Sequence, residues 1–296
     1  MDLGRVGVWT FLDGPPAAAI PDIGAELEAL GYGAVWVPDT VGRDPFLLAQ
    51  TLLASTDRMV AATGVANIHA RDAVTTSSLA NTLAEAHPDR FLLGLGVSHA
   101  PVVERRGGSY RAPVATMRAF LDEIDGAFYS GHAPERPVTR VLAALGPKML
   151  ELAASHASGA HPYFVPPEHT AIAREALGPG PLLATEQTVV FGGDADAATR
   201  LARGFVSGYL GMPNYANSLR RLGFTDDELE HVHDRVVDAV VASGDVEAIC
   251  RRVRAHLDAG ADHVCVQVLH GDHGSVPMEA WRELAPALLA TAAAAR

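Results

Sequence analysis

Apolar positions along the chain come in two alternating patterns. Short unbroken apolar runs, bounded by Gly, Pro, Asp or charged residues, alternate with longer segments whose apolar residues recur every three or four positions. The clearest run lies in Arg90–Pro101, RFLLGLGVSHAP, where Phe91, Leu92, Leu93, Leu95 and Val97 are broken only by Gly94 and Gly96. It is too short for a helix and suits a strand buried on both faces, as in a parallel sheet. Glycines within a strand imply that something approaches the backbone closely, either a neighbouring strand or a ligand. The strand ends in Ser98 and His99, and Pro101 turns the chain away. Polar groups at the carboxyl end of a buried parallel strand occupy the place where α/β enzymes keep their chemistry.

In chain order the patterns predict a strand over Arg5–Phe11, a helix over Ile20–Leu30 stopped by Gly31, and a strand over Ala34–Val37. A helix over Pro45–Ala54, a strand over Met59–Val65 and a helix over Ala73–Ala86 lead to the fourth strand. An irregular connection, Ala100–Ala112, precedes a helix over Pro113–Phe128. Next come a strand over Val141–Leu145, a helix over Pro147–His156, a strand over Ala160–Val165 and a helix over Glu168–Leu177. The seventh strand is Thr188–Phe191, followed by a long helical region broken near Met212-Pro213-Asn214. A helix over Asp245–Ala259, capped by Ser243 or Asp245, the eighth strand Ala261–Leu269 and a helix over Glu279–Ala293 complete the pattern. Eight strand–helix units match a (β/α)₈ TIM barrel in count and size, with insertions after strands four and seven; a doubly wound sheet is the second reading. With no low-complexity linker, residues 1–296 are expected to form one domain.

Composition narrows the classes. About half the residues are apolar (48%), enough for a core without disulfide or metal staples. No apolar run approaches membrane-spanning length, and MDLGRVGVWTF enters a strand pattern at once without the features of a signal peptide, so a cytoplasmic location is expected. Cys250 and Cys265 match no metal or redox spacing and read as core or near-core thiols. The net charge of -12 argues against nucleic acid as a partner, since phosphate contacts need basic patches. The expected partner is a small-molecule substrate. Lys148 is the sole lysine.

In a barrel, functional groups lie just after strands. Of the thirteen histidines, His69, His99, His161, His270 and His273 meet that test; His87, His156, His231, His233 and His256 fall in or near helices. His99 can donate or accept a proton, or be a structurally bonded strand-end residue. Asp39 can accept hydrogen bonds from a ligand's ring or hydroxyls, or cap the loop or helix that follows. Leu145-Gly146-Pro147-Lys148 has the character of an anion site, because the free N–H groups of a helix start attract negative charge, yet Gly-Pro also simply begins helices. His231/His233 and His270/His273 have some metal-ligand character, but a pair two apart in a helix shares no face, and no metal is expected. No phosphate-binding Gly-Lys-Ser/Thr loop, nucleophile elbow or dinucleotide fingerprint is present.

The stretches ELEALGYGAVWVPDT, ATGVANIHARD, RFLLGLGVSHAPVVE, LAALGPKMLELAASHASGAHPYFVPPEHT, YLGMPNYANSLRRLGF and AGADHVCVQVL, in this order, resemble the luciferase-like monooxygenase superfamily. The likeness is greatest to its actinobacterial branch of coenzyme F-420-dependent oxidoreductases. That resemblance implies a barrel holding a flavin-like ring at the carboxyl ends of its strands and moving a hydride between the deazaflavin and an organic substrate. It places Asp39 near the deazaflavin and a non-proline cis peptide at Gly64-Val65, forming a bulge behind the ring. Gly146, Pro147 and Lys148 match the segment receiving the cofactor phosphate, and Ala160, His161, Pro162 and Tyr163 the strand lining the ring's far side. Ser98 and His99 fall where some relatives place a proton-donating glutamate; the chain departs from them there, and His99 either takes over that role or only binds. Arg105, Arg106 and Arg111 are available to an acidic substrate or a polyglutamate tail, or form a solvated loop. The basic set of sugar-phosphate dehydrogenases does not map onto the chain. Relatives are often homodimers. An FMN-dependent monooxygenase is the nearest alternative; a flavin-free metabolite-binding barrel and a metal-dependent hydrolase stand further off.

Overall fold

The computed structural model describes residues 1–272 and 274–295. It opens with β1 (Val6–Trp9), a 3-10 turn at Ala17–Ala19, α1 (Ile20–Ala29), β2 (Ala34–Val37) and α2 (Pro45–Ala54). The next elements are β3 (Val60–Thr63), β4 (Ala66–Asn67), α3 (Ala73–Ala86), β5 (Phe91–Gly96), α4 (Ala100–Arg105) and α5 (Pro113–Gly126). Then come β6 (Thr139–Leu142), α6 (Pro147–His156), β7 (Gly159–Ala160), α7 (Pro167–Leu177) and β8 (Leu182–Phe191). Four helices follow, α8 (Ala195–Leu210), α9 (Pro213–Arg221), α10 (Asp226–Glu230) and α11 (Asp234–Val240). The chain closes with β9 (Val241–Gly244), α12 (Val246–Asp258), β10 (His263–Val268) and α13 (Met278–Ala294).

Eight strands pair in parallel around a closed ring, β1-β2-β3-β5-β6-β7-β8-β10, with β10 returning to β1. This is the (β/α)₈ barrel that the alternation predicts. The helix boundaries follow from local chemistry. Asp44, Asp72, Asp194 and Asp245 accept backbone N–H groups at the starts of α2, α3, α8 and α12, and proline occupies the first turn of α2, α5, α6, α7 and α9. Burial then divides by strand parity. Val8, Val35, Val37, Leu93, Leu95, Val264 and Val266 pack outward against the helices, while Trp36, Ala62, Leu92, Val141, Ala184 and Cys265 fill the barrel. Cys265 is buried and Cys250 is half-buried, as their patterns predict. No helix among the described residues is long and apolar enough to cross a membrane.

Four expectations need correction. The connection Ala100–Ala112 contains a short helix, α4, started by Pro101 in its first turn. The sixth strand, expected over Ala160–Val165, pairs only at Gly159–Ala160, after which Pro162 and the left-handed Phe164 (φ 60°) take the chain out of the ladder. The seventh strand begins at Leu182 instead of Thr188; its first part, LLATEQ, carries the polar Glu186 and Gln187, which interrupt an apolar run but are buried. A ninth parallel strand, β9, lies at the end of the region expected to be helical and pairs Val241–Gly244 with Thr188–Phe191 outside the ring.

The two glycines of β5 answer to a neighbouring strand. A Cβ on Gly94 would stand 2.0 Å from the Thr63 carbonyl oxygen, and one on Gly96 would stand 2.5 Å from Cγ2 of Val65. Gly94→Ala should therefore destabilise the protein by about 1–3 kcal/mol or more through overpacking. Gly204→Ala, in α8 where an added Cβ meets nothing within 4 Å, should stabilise it by about 0.5–1 kcal/mol. Urea midpoints of the two variants against the parent check both signs.

Candidate active site

The carboxyl ends of the strands surround one mouth. Between the pairs Ala62↔Leu92 and Ala66↔Leu95, the chain after β3 uses three residues where β5 uses two, so it bulges. The Gly64-Val65 peptide at the bulge is cis, as the resemblance implies. Thr63 Oγ1 donates to the Gly94 carbonyl at 2.7 Å and accepts its N–H at 2.8 Å, replacing the interrupted ladder. Trp9 Nε1 donates to the Gly64 carbonyl at 3.0 Å, and Gly64 N–H donates to Val37 at 2.7 Å.

Asp39 follows β2 and is drawn into this construction. Its N–H donates to the Val65 carbonyl at 3.3 Å, while its Oδ2 accepts from Asn67 N–H at 3.1 Å and Arg71 Nη1 at 2.6 Å. Arg71 also pairs with Asp44, the cap of α2, and lies over the Phe46 ring. The Asp39 carboxylate thus braces the bulge, a structural use that spacing alone left open.

His99 is the start of α4, reached through a left-handed Ser98 (φ 59°). Its side chain makes no capping bond, and its Nδ1 is buried without a hydrogen-bond partner. Burial lowers its pKa below the usual imidazole value, so the ring is neutral near neutral pH. Its neighbour is Tyr215 of α9, with ring centroids 5.2 Å apart. Buried polar atoms are nearly always paired, and an orphan at a barrel mouth suits a ligand or a bridging water.

Aromatic rings roof the mouth. Tyr163 packs on Trp9 at 5.1 Å, and its hydroxyl donates to Gln267 at 2.7 Å and lies 2.9 Å from the Tyr209 hydroxyl. Phe164 stacks on Tyr209 at 5.3 Å, and Tyr209 contacts Tyr215 at 5.2 Å. His69 faces Tyr110 at 6.4 Å, and the Tyr110 hydroxyl accepts from Asn214. The lining is aromatic, largely apolar and drawn from well-separated parts of the chain, a surface suited to a conjugated ring.

His161 lies deeper. It is buried, stacks on Trp36 at 4.2 Å and 12°, and its Nδ1–H donates to the Ala184 carbonyl at 2.8 Å. Burial lowers its pKa to about 4, so it is neutral. Of the expected Ala160–Tyr163 lining, Tyr163 meets the roof, while Ala160 and His161 belong to the packed interior. Glu186 of β8 is also interior. Its Oε2 accepts the N–H of left-handed Phe164 at 3.1 Å, and its Oε1 accepts from Thr188 Oγ1 at 2.6 Å. Burial, opposed only in part by these bonds, raises its pKa to about 8.

At the mouth's edge, Gly146 starts α6 without any side-chain cap, and Lys148 is exposed there. Arg221 of α9 reaches the same spot: its Nη2 donates to the Leu145 carbonyl at 3.2 Å, and a Cβ on Gly146 would meet its guanidinium at 3.6 Å. No carboxylate pairs with Arg221 among the described residues. Uncapped helical N–H groups beside an unmatched guanidinium suit a phosphate. Arg221, Tyr209 and Tyr215 lie in the stretch YLGMPNYANSLRRLGF that carries part of the resemblance, but they are not among the expected site residues, and distant elements bring them to the mouth; Glu186, in the interior, is not among them either. Arg105, Arg106 and Arg111 are exposed. His270 follows β10, and His273 lies outside the described residues.

Residues 1–263 match the family described as luciferase-like monooxygenase. A Mycobacterium tuberculosis protein provisionally named a coenzyme F-420-dependent oxidoreductase is 25% identical over 333 aligned positions, covering 90% of this chain and 94% of that protein. Among solved structures, an F-420-dependent secondary alcohol dehydrogenase in complex with an F-420–acetone adduct superposes with a TM-score of 0.76 at 16% identity, covering 97% of this chain and 99% of that one. The oxygenating constituent of 3,6-diketocamphane monooxygenase of Pseudomonas putida, in complex with FMN, superposes at 0.67 with 15% identity, covering 95% and 96%. At those identities the structural likeness concerns the fold. The chain belongs to the luciferase-like monooxygenase family of enzymes.

The Glu186 environment has a measurable consequence. Its carboxyl ionises near 4.5 in the unfolded chain and near about 8 in the folded one, so unfolding releases a proton between those values. Stability that is fully present below about pH 4.5 is therefore lost as pH rises to about 8, by up to about 1.4 kcal/mol per pH unit. Glu186→Gln, which keeps an acceptor for Phe164, should lack this component. Urea titrations of both proteins at pH 5, 7 and 9 should show the parent losing ground to the variant up to about pH 8; a constant difference would mean an ionised Glu186.

Proposed function

We propose that this luciferase-like enzyme is a cytoplasmic oxidoreductase transferring a hydride between the deazaflavin coenzyme F-420 and a small organic substrate. The observation that carries the reading is His99, an imidazole with a buried, unpartnered Nδ1 under an aromatic roof, at the end of a barrel strand. The F-420 names among the relatives support the choice of cofactor, and the FMN-bound neighbour keeps an FMN-dependent monooxygenase as the second reading.

The residues fit such a cofactor on two counts: the orphaned His99 Nδ1 and the uncapped α6 start beside Arg221. The Gly64-Val65 bulge, braced by Asp39, would back the ring, with Ser98 and Tyr163 beside it. The N–H groups after Gly146 and Pro147, with Lys148 and Arg221, would hold its phosphate. The deazaflavin, when bound, supplies a two-electron hydride donor or acceptor. The protein's part is to orient, exclude water and manage one proton. His99, held neutral by burial, accepts a proton at Nδ1 from a substrate hydroxyl being oxidised, or returns it when a carbonyl is reduced. His161 takes no part in proton transfer on this reading, because it is packed inside the barrel, stacked on Trp36 and bonded to the Ala184 carbonyl.

Fluorescence titration with F-420 and, separately, FMN is the first test. Preference for the deazaflavin supports the proposal, preference for FMN moves the case to oxygen chemistry, and binding of neither overturns it. Arg221→Ala and Lys148→Glu should each weaken F-420 binding by about 10–100-fold, the loss expected for a charge-assisted phosphate contact. Binding of the deazaflavin nucleoside without phosphate should be unchanged in both; equal losses for the two ligands would discard the phosphate assignment.

His99→Ala should lower turnover by about 10²–10⁴ while leaving F-420 affinity within a few-fold of the parent's. For the parent, oxidation of an alcohol should fall off in acid as His99 is protonated, at a pH below the ordinary imidazole value. Unchanged turnover in the variant would remove His99 from the chemistry.

A further inference from the structure

The sequence pattern assigns His231 and His233 to a helix, where residues two apart point to different sides. In the structure the helix is interrupted at that point. His231 ends α10, His233 starts α11, and Val232 between them adopts a left-handed conformation (φ 49°) that a β-branched residue rarely takes. The turn brings both imidazoles to one side, with centroids 6.2 Å apart, against a single carboxylate from the first turn of α10. His231 Nδ1 lies 3.3 Å from Asp227 Oδ1, and His233 Nε2 lies 3.5 Å from Asp227 Oδ2. One ligand atom from each of the three residues falls within 4.8 Å of the others.

We propose that Asp227, His231 and His233 form a site for one divalent transition-metal ion of the zinc class, binding across the α10–α11 junction. The donor set, two imidazoles and a carboxylate, is the one that zinc, nickel and copper favour over calcium or magnesium. Bonds of about 2.0–2.1 Å in tetrahedral geometry require ligand atoms about 3.3 Å apart. The two imidazoles approach different oxygens of the carboxylate, at 3.3 and 3.5 Å, and one ligand atom from each residue already lies within 4.8 Å of the others, so binding requires the three side chains to close by about 1 Å or less. His231 Nδ1 also lies 3.0 Å from the Asp227 carbonyl, and the ion would exchange that hydrogen bond for a coordinate bond. All three residues are exposed, which leaves the remaining coordination positions to water.

The ion would act at a distance from the mouth. Arg203 of α8 donates to the Val232 carbonyl at 2.6 Å and pairs with Asp234, so the junction is already tied to the helix that carries Tyr209. A metal there would fasten the same junction from its solvent side. The proposal stands apart from the choice of cofactor, since it concerns a surface outside the barrel.

The test uses untagged, chelator-stripped full-length protein titrated calorimetrically with ZnCl₂ and with NiCl₂. One ion per chain with a micromolar dissociation constant is expected, together with a rise in melting temperature under saturating metal. Asp227→Asn should weaken binding at least about tenfold, and the double variant His231→Ala/His233→Ala should abolish it. Because the side chains are exposed, the variants should melt like the parent in chelator, which separates loss of the site from loss of the fold. Absence of saturable binding below about 1 mM, or parental binding in the double variant, would overturn the proposal.

Discussion

The site depends on one hydroxyl. Thr63 Oγ1 both donates to and accepts from the backbone of Gly94, holding β3 to β5 at the point where the ladder between them fails. Without that double bond a bulged strand end would leave buried backbone groups unpaired, at a cost comparable to lost hydrogen bonds. With it, the chain can step sideways by one residue, resume pairing as β4 and still belong to the ring. Everything at the mouth is referred to that step. Gly64 and Val65 form it, Asp39 and Trp9 bond to it, and the glycines of β5 make room for it. His99 leaves the same strand three residues after Gly96.

The barrel interior below is more polar than a packed core requires. Glu186, His161, His263 and Gln267 are all buried, and each is held by a backbone or side-chain partner. His263 accepts from Trp36 Nε1 and donates to the Gly4 carbonyl, while Trp36 stacks on His161. Neutral groups dominate by construction, since burial lowers His161 and His263 to about 4 and raises Glu186 to about 8. Polar groups in such a place fix orientation, because each bond is satisfied in one arrangement. Glu186 is the clearest instance: by holding the N–H of Phe164 it stabilises the turn that aims two aromatic rings at the mouth.

Much of this was legible in the sequence wherever the determinant is local. Asp72 before an amphipathic run, Pro147 after Gly146 and the unbroken apolar run at Phe91 each specify their element through neighbours a few residues away. His99 stands out in the sequence because a strand end is a positional signal. The failures share a different cause. Glu186 and Gln187 interrupt the apolar run that marks a buried strand, and only the closed ring gives them a polar interior to face. Arg221 and Tyr215 lie in a stretch that carries part of the resemblance, but their partners are not legible there, because α9 folds back over segments more than seventy residues earlier in the chain. His231 and His233 read as positions of one continuous helix, which the left-handed Val232 interrupts.

The ninth strand has a bearing on how such a protein diversifies. β9 pairs with the far end of β8, setting Gly244 opposite Phe191, and Gly192 N–H donates to the Gly244 carbonyl at 3.0 Å. The excursion from 192 to 243 therefore departs and returns at the same point, with its base stitched shut. Lengthening a loop closed in this way adds little entropic cost, since closure entropy grows only logarithmically with length. The excursion behaves as a cassette: its length and sequence can vary while the eight-stranded ring beneath keeps its ladder hydrogen bonds. A lineage can thus change what the pocket admits without renegotiating the scaffold that holds it.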